Sequence, residues 1–370
     1  MKMTKFFAFA LAALAFAGCE PVEPGPDGPN DKPIPTGNIT LTADKTAVAL
    51  GDTVTFTVTD AEGQDVTSQA MIYDEDFNDV GSTVTFTESG SYEFFATVGS
   101  ENSNYVTVVV MAEVPEVPAD PQPENFKFNH RALVIDQTGV NCGYCPGATD
   151  QLKTLENTEW HQYYNEVTCH AGGYAGGDPG NSAAANALNS FQSSMISGYP
   201  CILVNFYGKP SSYGYSDIIK VLQNYVKKDG ADVGISLAVT GDEGCVYAAA
   251  QLKAAHSKEY RVTAWLLESG IYSPNQAGAT KDYHKIYNNA LRNMSHEYSK
   301  TNVQGDSIGT LEAGQTYDCA FELPIISTKW NYEKMSVLVV VSAKDANGRW
   351  EVANSAVCNI KEAKEYEYIQ

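Results

Sequence analysis

The chain has 370 residues, 43% of them apolar, enough material for two or three separate cores. It carries 24 basic against 45 acidic residues, a net charge of −21. A surface this acidic repels phosphate backbones, and no cluster of lysine and arginine offers a footprint, so no nucleic-acid partner is expected.

In chain order, Lys2 and Lys5 precede an apolar stretch from Phe6 to Ala17. Residues 1–18 read as a signal peptide, because these twelve apolar residues fall short of the ~20 a membrane-spanning helix needs. The end of the stretch, Phe16-Ala17-Gly18-Cys19, resembles a bacterial lipobox. That resemblance implies cleavage before Cys19 and attachment of fatty acid, palmitate included, to that cysteine. The expected partner there is the lipid bilayer, with the protein anchored and not inserted.

Residues 19–36 hold six prolines with Gly, Asp and Glu and read as an extended tether. Residues 37–112 alternate in strand fashion, as in Thr53-Val54-Thr55-Phe56-Thr57-Val58, with Gly51-Asp52 and Ser89-Gly90 as turns. Several short strands in so few residues predict a β-sandwich. The segment resembles bacterial immunoglobulin-like modules, contains no cysteine and shows no catalytic constellation; it reads as a spacer or binding module. Residues 113–124 hold four more prolines and read as a shorter, stiffer spacer.

Residues 125–229 carry the chemistry. A strand over Arg131–Gln137 leads to Cys142-Gly143-Tyr144-Cys145-Pro146, and a helix starts near Pro146. Two cysteines three apart at a strand-to-helix turn suit dithiol chemistry. The spacing places Cys142 at the helix N-terminus, where unpaired N–H groups and the dipole favour a thiolate. Cys145 can then close a disulfide and expel a bound partner. A strand follows at Glu166–His170, then a helix near Asn186–Ile196, then Gly198-Tyr199-Pro200 opening the apolar run Cys201–Phe206. Proline at the head of such a strand predicts a cis Tyr199–Pro200 bond. A helix over Ser216–Lys228 closes the unit.

This order of elements looks like a thioredoxin fold. The resemblance implies that Asp136, six residues before Cys142, is buried and assists proton transfer, and that Pro200 packs against the disulfide. The Cys-Gly-Tyr-Cys string is similar to that of periplasmic disulfide isomerases.

Residues 230–370 begin a new strand series: Val233–Val239, Cys245–Leu252, Tyr260–Leu267, Thr316–Leu323, Met335–Ala343 and Trp350–Asn359. Lys344-Asp345-Ala346-Asn347-Gly348 is a hairpin signal. The expectation is a second β-rich, sandwich-like domain. The fold class expected for the whole is thus multidomain: α/β plus all-β.

Taken together, Arg131…Asp136-Gln137-Thr138-Gly139…Cys142-x-x-Cys145-Pro146, Val167-x-x-His170-x-Gly172 and Gly198-Tyr199-Pro200 resemble the outer membrane protein twenty-eight-related lipoproteins. The resemblance runs from about Phe126 to Lys361 and implies an outer-membrane, surface-exposed location without an established reaction. Tyr287-Asn288-Asn289-Ala290-Leu291-Arg292 is similar to a stretch of that family in which a histidine stands where this chain has Asn289. Asp52-Thr53-Val54 and Asp306-Ser307-Ile308 resemble short acceptor motifs for bacterial O-glycans.

Seven cysteines remain beside Cys19. Cys169 and Cys201 read as buried small hydrophobes; by the resemblance they flank the strand before Cys142 and are not bonded to each other. Cys245, Cys319 and Cys358 fall on strands, and an oxidising compartment permits two of them to bridge. A zinc site from Cys142, Cys145 and His170 would lack a fourth ligand, so no metal or other cofactor is expected; His170 reads instead as a polar residue beside the dithiol.

Three functional readings stand, of which a metal-binding protein is the least supported. In the first, the protein is a membrane-tethered thiol–disulfide oxidoreductase acting on protein thiols and disulfides. Cys142 attacks, Cys145 resolves, Asp136 relays a proton, and Tyr199 with Pro200 forms the substrate-facing wall. In the second, the protein is a surface binding or adhesion lipoprotein in which the Cys142–Cys145 bond is only structural.

Overall fold

The computed structural model describes residues 35–369. The expected signal peptide, Cys19 and most of the tether lie outside the described residues.

Residues 37–112 form two sheets. One orders Ile39–Ala43, Thr53–Asp60 and Thr83–Thr85; the other orders Ala47–Ala49, Val106–Met111, Gly90–Val98 and Met71–Tyr73. Alternation along Thr53–Asp60 turns Val54, Phe56 and Val58 inward while the threonines face outward. These side chains meet Phe94, Val108 and Ile72 from the other sheet in one shared core.

The proline-rich stretch that follows is docked against the C-terminal strands. Buried Lys253 donates to Asp120 at 2.8 Å and to the carbonyl of Asn125 at 3.1 Å, and the Tyr368 hydroxyl donates to Asp120 at 2.6 Å.

An eight-stranded sheet organises the rest. Its order is Cys201–Val204, Ala132–Thr138, Tyr164–His170, Ala290–Met294, Lys258–Glu268, Met335–Lys344 and Trp350–Asn359, with Asp306–Leu311 also paired to Lys258–Glu268. Ala132–Thr138 runs parallel to Tyr164–His170 and antiparallel to Cys201–Val204. Every residue of Ala132–Thr138 is buried, which is why its first four residues, Ala132–Ile135, form a continuous apolar run rather than an alternation.

Helices α1 (Cys145–Glu156) and α3 (Tyr215–Tyr225) cover one face through Leu152, Leu155, Ile218 and Leu222. Helix α2 (Ala183–Phe191) covers the other through Ala184, Ala185 and Leu188. The α2 N-terminus is capped by Ser182, whose hydroxyl accepts from the Ala185 amide at 3.0 Å.

The sheet runs across the boundary expected at 229/230. A bridge between Thr168 and Ala290 joins the strands of the dithiol region to the later series. A four-stranded sheet, Thr316–Pro324, Cys245–Ala254, Val233–Gly241 and Ala363–Lys364, packs on the far half of the large sheet. The four-stranded sheet therefore packs on the same sheet that carries the dithiol. The expected hairpin joins Met335–Lys344 to Trp350–Asn359, with Gly348 at φ +74° in its turn. The chain is mostly β and built from several sheets.

Candidate dithiol site

Cys142 and Cys145 are joined by a disulfide, with Cα atoms 5.4 Å apart. The first turn of α1 explains the local folding. Tyr144 is the N-cap and Pro146 occupies the first turn, where its missing N–H removes no helical bond. Cys145 thus opens the helix and Cys142 precedes the cap, a correction to the expected place of Cys142 at the helix N-terminus. The Cys145 amide donates to the Cys142 carbonyl at 3.3 Å.

Both cysteines are only 2% exposed, although Tyr144 between them is 77% exposed. The cover comes from residues 273–287, a strap between two strands of the C-terminal series. The Ala277 amide donates to the Val140 carbonyl at 2.8 Å, and the Gln276 side chain donates to the Cys142 carbonyl at 3.2 Å. Tyr287 holds Gln276 in place, its hydroxyl donating to the Gln276 side-chain oxygen Oε1 at 2.8 Å. Gly278, at φ +71°, lies so close to Gly143 that a Cβ there would run into the Gly143 carbonyl. Farther on, Tyr283, His284 and Lys281 converge on Asp150 of α1. The hydrogen bonds from Tyr283 and His284 hold the Asp150 carboxyl well below its usual range.

The Tyr199–Pro200 peptide is cis. Cys201 pairs with Gln137, so Pro200 stands level with Thr138, at the sheet end from which the dithiol loop leaves. The Tyr199 hydroxyl accepts from Asn189 at 2.6 Å, and the Tyr199 ring lies 5.2 Å from Tyr174. Tyr174 in turn packs tightly on Gly139.

Asp136 points to the α1 face, as do Val134 and Ala132, and is 4% exposed. Neither of its carboxyl oxygens takes a hydrogen bond from a described residue, and Oδ1 is fully enclosed. It lines a cavity of about 120 Å³ together with Cys145, Glu166, Thr168 and His170. Burial, and then the neighbouring Glu166, push Asp136 up to about 8. Burial, and then Glu156, push Glu166 up to about 7.

His170 is buried beside this cavity. Its Nδ1 lies 2.9 Å from Asp178, its ring packs at a tilt against Tyr287 with centroids 4.1 Å apart, and its Nε2 has no partner among the described residues. Asp178 also accepts from the amides of Val140 and Gly180, at 2.6 and 2.8 Å. Burial alone would raise Asp178, but His170 and these two amides hold it low.

Cys169 and Cys201 are free and buried on strands either side of Gln137. Cys245, Cys319 and Cys358 are also free, which corrects the expectation that two of them could bridge. In the four-stranded sheet Cys245 faces Pro324 across the ladder and Cys319 faces Ala250, while Cys358 lies in the other layer. Asn289 sits in the left-handed region at φ +53°, where asparagine is tolerated. Its carbonyl accepts from the Thr168 amide at 2.8 Å, so it helps join the two halves of the large sheet. The hydroxyl-bearing Thr53 and Ser307 are both exposed.

Glu166 escaped sequence reasoning, although a lone acid in a buried strand is a signal. The strap residues Gln276, Tyr283 and His284 carry no local signal, being more than a hundred residues from the cysteines they cover.

The family model for outer membrane protein Omp28 matches residues 188–364. That span takes in the strap and the later strands but not Cys142, Cys145 or Asp136. Among solved structures, the chain is similar to HBP35 of Porphyromonas gingivalis. The likeness has a TM-score of 0.52 at 18% identity, over 66% of this chain and 80% of that one. At this identity it speaks to the fold alone. A β-glucosidase from Kluyveromyces marxianus in complex with glucose aligns at a TM-score of 0.18 and 11% identity, over 44% of this chain and 19% of that one. Such a score carries no argument. No curated protein matches the chain.

Proposed function

We propose that the protein is an outer-membrane lipoprotein whose region 125–229 is a thioredoxin-like unit, with Cys142 and Cys145 as a shielded exchange dithiol. The family match over residues 188–364 supports the outer membrane as its location. The observation that carries the redox reading is Asp136, an acid enclosed without hydrogen bonds in the cavity that Cys145 also lines. A buried carboxyl without partners is costly to stability, and such groups concentrate where a proton must move.

In this reading the strap lifts and the reduced Cys142 thiolate attacks a partner disulfide. A mixed disulfide forms and the first partner sulfur leaves. Cys145 then gives its proton to Asp136 and attacks Cys142, so that the internal disulfide re-forms and the second partner thiolate departs. Tyr199 and Pro200 wall the site on the partner's side. Acylated Cys19 holds the whole at the bilayer, and residues 37–112 act as an immunoglobulin-like spacer or binding module.

Replacing Cys145 by serine tests this. Exchange activity predicts a trapped mixed disulfide through Cys142 and a potential of about −120 to −270 mV for the wild-type couple. A potential below roughly −300 mV with no trapped partner would favour the second reading, a surface binding lipoprotein with a structural staple. The 2% exposure of both cysteines is what favours that alternative. Anchoring has its own test: Cys19→Ser should release the protein from the membrane fraction, and fatty acid still incorporated into that variant would sink the lipid anchor.

A further inference from the structure

The exchange reading assigns a proton to Asp136 but gives it no way out. Asp136 is enclosed by the strand it stands on, by α1 and by the strap, and its Oδ1 meets no solvent and no donor. The cavity that it shares with Cys145 continues past Glu166 to Lys153 and Glu156, near the C-terminal end of α1. Glu156 is exposed.

The register explains why the two acids meet. Asp136 lies opposite Thr168, and Glu166 lies opposite Val134 on the parallel neighbour. Residues two apart on a strand share a face. Asp136, Val134, Glu166 and Thr168 therefore all point toward α1, with the two carboxyls on a diagonal of roughly 7–8 Å between backbones. Thr168 is spoken for, because its hydroxyl donates to the Asn288 carbonyl at 2.7 Å. Glu166, like Asp136, accepts no hydrogen bond from a described residue. Two adjacent carboxyls in a low-dielectric cavity cannot both ionise cheaply.

We propose that Asp136 and Glu166 are one proton-sharing pair under Cys145, with Glu166 the positioning residue that takes the proton from Asp136 and passes it to solvent past Glu156. The proposal rests on the exchange reading for the origin of the proton, and on the cavity for its path. When Cys145 attacks Cys142, its sulfur forms the new S–S bond and the bond from Cys142 to the partner sulfur breaks. The electron pair leaves on the partner thiolate, and the Cys145 proton moves to the Asp136 carboxylate. Transfer to Glu166 through cavity water then frees Asp136 for the next turnover.

Other titratable groups border the pair. Lys153 and Glu156 face it from α1, and Tyr283 and His284 face it from the strap. The last two are both tied to Asp150. His170, tied to Asp178, and Tyr287 close the inner end, while Cys169 and Cys201 lie behind Asp136 on the flanking strands. Of these, Glu156 is the acid whose charge acts on Glu166.

The test uses the full chain and two readouts. In the first, the reduced protein is loaded at Cys142 with thionitrobenzoate, and release of the coloured thiolate by Cys145 is followed against pH. In the second, infrared titration of the oxidised protein reads the protonated carboxyl bands of the pair, whether or not the dithiol exchanges. Glu166→Gln removes the like charge, so the midpoint of Asp136 should fall by about one pH unit, a tenfold change in its proton affinity. The pH profile of thiolate release should move down by the same amount. Glu166→Asp should restore the wild-type midpoint, and Asp136→Asn should remove the step from both readouts.

A purely structural Glu166 would alter stability and leave the midpoint in place. An unmoved midpoint in Glu166→Gln overturns the proposal. Absence of thiolate release from the wild type at every pH overturns the exchange reading by itself; the infrared midpoints then still decide whether the pair exists.

Discussion

Asp136 and Gln137 are neighbours on one strand, both buried, and they face opposite sides of the same sheet. Gln137 is fully engaged: its amide donates to Gln192 at 2.9 Å and its carbonyl oxygen accepts from Asn189 at 2.7 Å. Gln192 also donates to the Asn205 carbonyl at 3.1 Å, which ties the α2 face to the turn after Cys201–Val204. Asp136 has no hydrogen-bond partner among the described residues. Equal burial with opposite satisfaction separates two uses of a polar side chain. A satisfied network fixes register and packing, whereas an unsatisfied acid raises the free energy of the fold and needs another reason to be there.

The largest effect should come from breaking a satisfied buried pair elsewhere in the sheet. Arg292 donates to Glu268 at 2.7 Å and to the Pro179 carbonyl at 2.9 Å, with both ionic side chains buried. Arg292→Leu leaves the Glu268 charge uncompensated and should cost about 3–5 kcal/mol in urea unfolding. A loss under 1 kcal/mol, on the order of a surface pair, would show that satisfaction is not what these buried polar groups contribute.

Asp136→Asn should move the other way, with a sign set by pH. Asp136 binds its proton up to about 8, far above its ordinary 3.8, so the folded state holds that proton more tightly than the unfolded chain does. Stability from this group is therefore lost as pH climbs between those two values. The advantage of Asn over Asp should grow with pH across that window and level off above it. Unfolding of the oxidised protein at a series of pH values reads this directly, and a pH-independent difference would contradict an enclosed, uncompensated acid. Gln137→Ala, by contrast, should cost roughly 2 kcal/mol at every pH, because it takes the donor from the Gln192 side-chain oxygen and one acceptor from Asn189 without titrating anything. A pH-dependent cost there would erase the contrast between the two faces.

How much of this could be read beforehand follows from which interactions are local. The strand before Cys142, the helix after it, the head of Cys201–Val204 and the long strands from Val233 onward all announce themselves by apolar runs and turn residues. The cis bond at Pro200 follows from a proline at the head of an apolar strand. The short strand Ala290–Met294 does not announce itself, because Arg292 and Asn293 break its apolar pattern although all five residues are buried. It is also the strand that fuses the dithiol sheet to the C-terminal series, so continuity of that sheet was invisible. The burial of Cys142 is not legible for a related reason: its cover arrives from residues 273–287, whose composition reads as loop. Contacts this distant in sequence have no periodicity to betray them.

That cover gives the smallest and most specific prediction. Gln276 links the strap to the dithiol loop through its bond to the Cys142 carbonyl and is itself held by Tyr287. Gln276→Ala removes a net contribution of about 1 kcal/mol from the closed strap, and the site can reopen without global unfolding. The open fraction should rise about fivefold, since RT is about 0.59 kcal/mol. Reduction of the disulfide by a small phosphine should then speed up by that factor, while the urea midpoint of the whole protein scarcely moves. Gly278→Ala offers an independent check, because its Cβ would meet the Gly143 carbonyl and keep the strap from seating at all. If neither variant changes the reduction rate, access to the disulfide is governed by something other than the strap, and burial of Cys142 must be traced to the α1 loop itself. If both accelerate it with global stability intact, the enclosure of the dithiol is a separable layer, distinct from the satisfied core on the Gln137 face.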